Sequence, residues 1–154
     1  MKLSTRGDYA VRALLELTFV PAGELLPLSA VADRTSIPFN YLEQIFKDLR
    51  TGRLVRSQRG QRGGYQLARP ASEITIGEVI RVMEGPLAPT LCASRTQHQP
   101  CATYLCPNED ECVLREMWLG VRDAISGILD HTTFADLAER QRHARSNSAP
   151  RYSI

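Results

Sequence analysis

The sequence predicts a mainly α-helical fold that includes one small β-hairpin. Two observations carry this prediction. Apolar residues recur with helical spacing in several separate segments, and two short alternating runs flank a glycine-rich tip at residues 59–64. The chain of 154 residues is enough for about one domain, and its content of 43% apolar and 23% charged residues is typical of globular proteins.

The first three predicted helices lie before residue 52. The first covers 7–20, where Thr5 and Asp8 have the spacing of a capping box. A short second helix covers 28–35, and Pro38 suits the first turn of a third. The third helix has a clean apolar stripe made of Leu42, Ile45, Phe46 and Leu49.

The alternating runs 54–58 and 65–68 predict a β-hairpin. Two short helices, a turn, a third helix and a hairpin together make a winged helix-turn-helix. A further helix follows, with a capping box at Thr75 and Glu78 and an end at Gly85. We therefore expect residues 1–85 to form a winged helix-turn-helix DNA-binding domain.

The net charge of +2 hides an uneven distribution along the chain. Residues 1–84 carry +3, residues 85–139 carry −5 and residues 140–154 carry +4. Within the first part, residues 47–69 hold seven basic side chains against one acid, Asp48. This density suits a polyanionic partner such as double-stranded DNA.

The polar face of the third helix, opposite its apolar stripe, carries Asn40, Glu43, Gln44 and Lys47. Amide side chains pair with adenine in the major groove and Glu accepts from cytosine, so these residues are candidate DNA contacts. An ordinary solvated helix face is the alternative interpretation.

The tip of the hairpin is predicted to act as a wing on DNA. Arg59 and Arg62 suit phosphates or the minor groove, and glycines such as Gly63 let the backbone approach the duplex. A plain exposed turn is the alternative.

Residues 86–111 show no periodicity and are expected to form a cysteine-bearing loop. The four cysteines lie within residues 92–112, with gaps of eight, four and five residues. Such a group could bind an iron–sulfur cluster, bind zinc, cycle as a redox disulfide or have no role. His98 is expected to be an ordinary loop residue.

Residues 112–139 are expected to hold a long dimerisation helix and a short terminal helix. Apolar residues of the long helix follow a coiled-coil rhythm, namely Leu114, Trp118, Val121, Ile125 and Ile128. A second copy of the same helix is the simplest partner, which predicts a homodimer. Phe134 and Leu137 are expected to pack near this helix, and residues 140–154 are expected to be a disordered basic tail.

Other function classes are less well supported. The sequence shows neither a signal peptide nor a membrane span, so we expect a cytoplasmic protein without a membrane partner. No nucleophile pair, general base or phosphate loop is apparent, so we do not expect an enzyme. A small electron-transfer protein would use the cysteines but would have no use for a basic wing.

Four motifs resemble the Rrf family of bacterial winged-helix regulators. They are MKLSTRGDYAVRALL at 1–15, YLEQIF at 41–46, LRxxRLV at 49–55 and RGxxGGYxLAR at 59–69. The similarity extends from Met1 to about Leu137. It adds Tyr41, which opens the second motif, to the candidate DNA contacts.

The resemblance implies a homodimer whose cysteine loops each hold an iron–sulfur cluster, [2Fe–2S] or [4Fe–4S], near the first helix of the other subunit. Three cysteines usually ligate it, and they match Cys92, Cys106 and Cys112. Cys101 is then surplus. Some members lack a cluster.

For the fourth ligand of the cluster, this sequence differs from some members of the family. Some members have a ligating histidine three residues after the last cysteine, where this sequence has Arg115. The family's nitric-oxide sensors instead use an aspartate at the position of Asp8, from the other subunit. The resemblance therefore favours Asp8 as the fourth ligand, with Cys101 as second choice.

We therefore expect a dimeric transcriptional regulator, most simply a repressor, that binds a palindromic operator under control of an iron–sulfur cluster. The alternatives are a cluster-free regulator controlled by thiol redox or a partner protein, and a zinc-stabilised DNA-binding protein.

Overall fold

The structure is a computed structural model that describes residues 3–60, 62–101 and 108–148. It contains six helices and one antiparallel hairpin within these ranges, which confirms the predicted mainly α-helical winged helix-turn-helix. The helices are α1 Thr5–Leu17, α2 Leu28–Thr35, α3 Phe39–Thr51, α4 Ile76–Glu84, α5 Val113–Leu129 and α6 Phe134–Ser148. The hairpin strands are β1 Val55–Gln58 and β2 Gly64–Leu67.

Three short 3-10 turns complete the described elements, and two of them lie in the segment predicted to be irregular. They are Ala71–Glu73, Leu91–Ala93 and Glu109–Glu111. None of the helices within the described ranges combines the length and apolar character needed to cross a membrane.

The core lies where α1, α3 and α4 pack together. The predicted apolar stripe of α3 is wholly buried there, together with Leu14 of α1 and Val79 of α4. Phe134 at the start of α6 is also fully buried in this core. Because its aromatic ring removes a large apolar area from water, Phe134 anchors α6 on the helical domain. The sequence predicted packing of Phe134 near the long helix, and the structure adds its burial in the core of the helical domain.

The hairpin is fixed to the helical core at its second strand. Val55 pairs with Leu67 in the antiparallel register, and the backbone of Leu26 exchanges two 2.9 Å hydrogen bonds with Tyr65. The Tyr65 ring also lies edge-on to Phe46 of α3, with 4.6 Å between ring centroids. These contacts set the position of the wing relative to α3.

The predicted capping box at Thr5 and Asp8 is wrong. Ser4 caps α1, because its side-chain oxygen accepts from the Gly7 N–H at 3.1 Å. Helix α1 therefore begins at Thr5, two residues before the predicted start, and it ends at Leu17, three residues before the predicted end. Ser4 is held in turn by Glu84, whose Oε1 accepts from the Ser4 N–H and hydroxyl at 2.9 and 2.8 Å. The carboxylate of Asp8 pairs instead with Arg12 of the same helix.

The predicted capping box of α4 is confirmed. Thr75 and Glu78 exchange both hydrogen bonds of the motif, and the helix ends at Gly85 with φ of +85°. A positive φ of this kind favours glycine, which explains why the helix ends there.

The terminal helix is longer than predicted. The sequence predicted a disordered tail from residue 140, but α6 continues to Ser148, and residues 149–154 lie outside the described ranges. Its start has a capping box made by Thr133 and Asp136, and the Arg145 guanidinium lies 5.6 Å from the ring centroid of Phe19. Residues 139–148 have no apolar stripe, so periodicity gives no helical signal there. The predicted boundaries between the functional segments stay predictions.

Candidate nucleic-acid interface and cysteine segment

The predicted base-reading side chains share one exposed face of α3. Their neighbours in sequence fill the core, so this face points away from the protein interior. The exposed residues on it are Asn40, Tyr41, Glu43, Gln44 and Lys47. An exposed helix face that carries amide, carboxylate and ammonium groups can hydrogen-bond base edges in a major groove.

The start of α1 lines the same surface. Tyr9 meets Tyr41 edge-on, with 5.6 Å between ring centroids, and Arg6 forms an ion pair with Asp48 of α3. Arg6 also lines a shallow groove beside Asn40, Tyr41 and Gln44. Sequence reasoning missed Arg6 and Tyr9, because their proximity to α3 depends on helix packing.

A row of basic side chains runs from α3 along the hairpin. Each is exposed, and within the described parts of the chain none forms a salt bridge with a carboxylate. We call this row the basic stripe, and it comprises Lys47, Arg50, Arg53, Arg56, Arg59 and Arg62. The acid within this stretch, Asp48, is instead paired with Arg6. The stripe therefore presents uncompensated positive charge, which attracts phosphates.

The wing tip requires glycine at Gly63. A Cβ there would lie 2.4 Å from the Gln58 carbonyl oxygen and 2.8 Å from that of Gly60, closer than any real contact. The Gly63 N–H donates to the Gly60 carbonyl at 2.9 Å, which closes the turn. The tip carries the exposed Arg59 and Arg62 on either side.

The cysteine segment places its described thiols at three different positions. Cys92 is half-buried in the Leu91–Ala93 turn, with its sulfur 3.3 Å from the Thr90 hydroxyl. Cys112 is half-buried directly before α5, and Cys101 is exposed. Cys106, the remaining predicted ligand, lies outside the described residues.

Two arginines of α5 hold the turn that carries Cys92. Arg115 Nε donates to the Cys92 carbonyl at 3.1 Å, and Arg122 Nη1 donates to the Ala93 carbonyl at 2.8 Å. Because Arg115 lies three residues after Cys112, its hydrogen bond brings the backbones that carry two predicted ligands close together.

Glu109 connects the rest of the segment. Its Oε1 accepts from the Cys101 N–H at 3.2 Å, its Oε2 lies 2.9 Å from His98 Nε2, and Arg115 Nε is 3.6 Å away. Desolvation acts to raise the pKa of Glu109, but the hydrogen bonds and the positive charge of Arg115 outweigh it and lower the pKa. His98, expected to be an ordinary loop residue, is thus part of this contact. No sequence signal singled out Glu109.

Asp8 does not join the cysteines within the described part of one chain. Its carboxylate is partly exposed and pairs with Arg12 at 2.8 Å on the surface of α1. Across the described residues, no three His, Cys, Asp or Glu side chains are grouped in a way that could hold a metal ion.

Helix α5 exposes an apolar face. None of its residues is fully buried in the chain, although Ile125 and Leu129 pack against the core. The exposed apolar side chains are Val113, Leu114, Met117, Val121 and Ile128. Four of these, all but Val113, lie within about 60° of one another around the helix axis, at 100° per residue. They form a continuous stripe beside the two residues that touch the core.

Comparisons with known proteins agree with this geometry. The family model described as Rrf2, "Iron-dependent Transcriptional regulator", matches residues 3–140. The regulator IscR of Serratia proteamaculans is 35% identical over 141 residues, which cover 92% of this chain and 81% of that protein.

Two solved structures are also similar over almost the whole chain. CymR, the global cysteine regulator of B. subtilis, superposes with a TM-score of 0.74 at 34% identity and covers 91% of this chain and 98% of its own. T. potens IscR has a TM-score of 0.72 at 31% identity, and the match covers 94% of this chain and 91% of that chain. The relatives of this chain are transcriptional regulators and not enzymes. The chain therefore belongs to the Rrf2 family of winged-helix transcriptional regulators.

Proposed function

We propose that this chain acts in the cytoplasm as a homodimeric repressor whose binding to a palindromic operator is controlled by an iron–sulfur cluster. The observation that carries the DNA-binding part is the exposed polar face of α3 beside the basic stripe, which has no described carboxylate partner. Family membership supports a regulator of transcription.

On DNA, α3 enters the major groove and the wing lies against the backbone. Asn40, Glu43 and Gln44 read base edges, whereas Lys47 and Arg59 neutralise phosphates. Tyr41 packs on Tyr9 and so lies at the junction of α1 and α3. Gly63 keeps the wing tip tight enough for Arg59 and Arg62 to approach the duplex.

The apolar face of α5 forms the dimer contact. A contiguous exposed apolar surface on a regulator of this size is typical of a protein–protein interface, and a two-fold dimer pairs the face with itself. Two copies of α3 then address the two halves of a palindrome.

The donor set suits an iron–sulfur cluster. Cys92, Cys106 and Cys112 supply thiolates, which are the preferred ligands of such clusters. The structure supports the fit because Arg115 ties the Cys92 turn to the start of α5, next to Cys112. Asp8 is partly exposed on α1, where it pairs with Arg12 within one chain, and as fourth ligand it would exchange this partner for the cluster of the other subunit. When bound, the cluster supplies sensitivity to redox state, nitric oxide or iron supply.

The chain's own contacts can pass a change in the cysteine segment to the DNA-binding domain. Arg115 and Arg122 join this segment to α5, and Asp130 at the end of α5 pairs with Arg81 of α4. A shift of α5 therefore acts directly on the helical domain that carries α3. Small changes in the spacing of two recognition helices change operator affinity strongly.

A second candidate function is control by thiol chemistry without a cluster. The exposure of Cys101 favours it, as does the 34% identity to the cysteine regulator CymR. A zinc-stabilised protein would use the same thiolates.

Anaerobic purification separates these functions. We expect a coloured protein with visible absorbance and stoichiometric iron and sulfide in each chain, which enriches specific palindromic sites from fragmented genomic DNA. A colourless, iron-free protein that still selects an operator would refute the cluster and support thiol control. Zinc without visible absorbance would support the structural alternative. Absence of any selected site would refute the DNA-binding function.

A further inference from the structure

We infer that Arg115 is a positioning residue that holds the two parts of the cysteine segment in register, through the Cys92 carbonyl on one side and Glu109 on the other. The inference rests on the proposed function and deepens it, because it assigns a role to the side chain at the position where the family resemblance implies a ligating histidine in some members. A guanidinium cannot bind a metal ion, since it carries only donors.

The geometry fits one side chain that serves two partners. Arg115 Nε is 3.1 Å from the Cys92 carbonyl and 3.6 Å from Glu109 Oε2. Its side chain is only 23% exposed, so the contacts are partly shielded from water. Both contacts involve Nε, whose single N–H donates to the Cys92 carbonyl, while the positive charge of the guanidinium attracts the Glu109 carboxylate as an ion pair.

Glu109 extends this connection to the other end of the segment. The same carboxylate accepts from the Cys101 backbone and contacts His98. Arg115 therefore links the turn at Cys92, the stretch from His98 to Cys101 and the start of α5 after Cys112. These stretches have little regular structure of their own, so individual contacts set their relative positions. The Gln99 N–H donates to the Leu91 carbonyl at 3.3 Å, and the contacts of Arg115 and Glu109 add to this backbone hydrogen bond.

Arg122 holds the neighbouring carbonyl but does not perform this role. It donates to Ala93 at 2.8 Å and pairs with Asp123, and no described contact joins it to Glu109. The two arginines therefore have different roles. Arg122 anchors the Cys92 turn on α5, whereas Arg115 also joins this turn to the stretch from His98 to Cys101.

Hydrogen–deuterium exchange of the reduced, iron-free, full-length chain tests this inference without DNA or cluster. Arg115→Ala should speed amide exchange about three- to tenfold in peptides that cover 90–94 and 98–101, because both stretches lose their shared partner. Glu109→Ala removes the acceptor of the Cys101 N–H and should speed exchange at 98–101, but it should leave 90–94 within about twofold of wild type, because the bond from Arg115 to Cys92 remains.

Two controls separate positioning from general loss of structure. Arg95→Ala removes an equal charge from the same segment, but Arg95 is 71% exposed and pairs with Asp123. After correction for intrinsic rates, it should leave 98–101 unchanged. Arg115→Lys keeps one charged donor and should restore part of the protection at 90–94.

The inference is overturned by wild-type exchange at both stretches in Arg115→Ala, or by no recovery in Arg115→Lys. If Arg115→Ala does not fold, Glu109→Ala decides: loss of protection confined to 98–101 supports the inference, and unchanged or uniform exchange contradicts it. These outcomes do not depend on operator binding or iron content, so a failure of the proposed function is measured separately.

Discussion

Arg81 of α4 and Asp130 at the end of α5 form a two-point ion pair, with nitrogen–oxygen distances of 2.6 and 2.7 Å. The carboxylate lies directly over Gly77, where a Cβ would come within 1.9 Å of Asp130 Oδ1. The pair therefore fits only because residue 77 has no side chain, and it joins the winged-helix domain to the helix that follows the cysteine segment.

The first prediction concerns the stability that this pair contributes. Asp130→Asn should lower the free energy of unfolding by about 1 kcal/mol, because charged hydrogen bonds at a half-exposed site contribute about this much. Denaturant unfolding measures the change. Glu116→Gln, which removes an exposed carboxylate of α5, is the control and should change stability by less than about 0.5 kcal/mol. Equal stability of wild type and Asp130→Asn would show that the pair contributes nothing.

The same pair gives stability a defined pH dependence. The hydrogen bond from Arg81 lowers the pKa of Asp130 below its ordinary value of 3.8. A carboxylate with a lowered folded-state pKa stabilises the fold above its unfolded pKa, and this contribution disappears as the pH falls through the folded pKa. The free energy of unfolding should therefore fall as the pH decreases below about 4. Asp130→Asn should reduce this slope in the same titration series.

Two substitutions should separate base reading from phosphate contact. Gln44→Ala should reduce discrimination between operator and mutated sites by about 1–3 kcal/mol, since a lost base contact affects one sequence only. Arg59→Ala should weaken binding to all sequences and reduce the salt slope by about one. Mobility-shift titrations at several salt concentrations measure both effects. Wild-type behaviour of both variants would contradict the DNA-binding surface.

The wing tip should depend on Gly63. Gly63→Ala forces a Cβ against the Gln58 and Gly60 carbonyls, so the turn must shift. We expect operator affinity to fall about tenfold or more, because the placement of Arg59 and Arg62 changes. Gly120→Ala is the matched control, since a Cβ there meets open space. If both variants bind the operator like wild type, the tip does not contribute to binding.

The dimer should depend on the middle of the α5 stripe. Val121→Asp places a charge on this exposed apolar face, and burying it against a second copy is unfavourable. Sedimentation velocity should show a monomer with correspondingly weak operator binding. Glu116→Gln lies on the opposite side of α5 and should stay dimeric. A dimer of unchanged stability in Val121→Asp would place the interface elsewhere.

Much of the fold could be predicted because local patterns determine it. Three features could be recognised from residues only a few positions apart in the sequence. They are the apolar stripe of α3, the capping box at Thr75 and the helix-ending glycine at residue 85. The exposed face with Asn40 and Gln44 follows from the same periodicity, since residues opposite a buried stripe face outward.

The rest depends on contacts between distant segments. Ser4 rather than Thr5 caps α1 because Glu84 of α4 fixes it there. Glu109 and Arg115 are ordinary charged residues in the sequence, and only the packing of α5 on the Cys92 turn brings them together with Cys101 and His98. The polar end of α6 forms a helix on a surface that includes Phe19, which periodicity within α6 cannot show.

The most direct test compares the operator affinity of one protein preparation with and without its cluster. Fluorescence anisotropy with a selected palindromic operator, under anaerobic conditions at fixed salt, gives a dissociation constant for each form. We predict that the two constants differ about 5- to 150-fold, the usual range of coupling between two sites. Equal constants for the two forms would contradict control of DNA binding by the cluster.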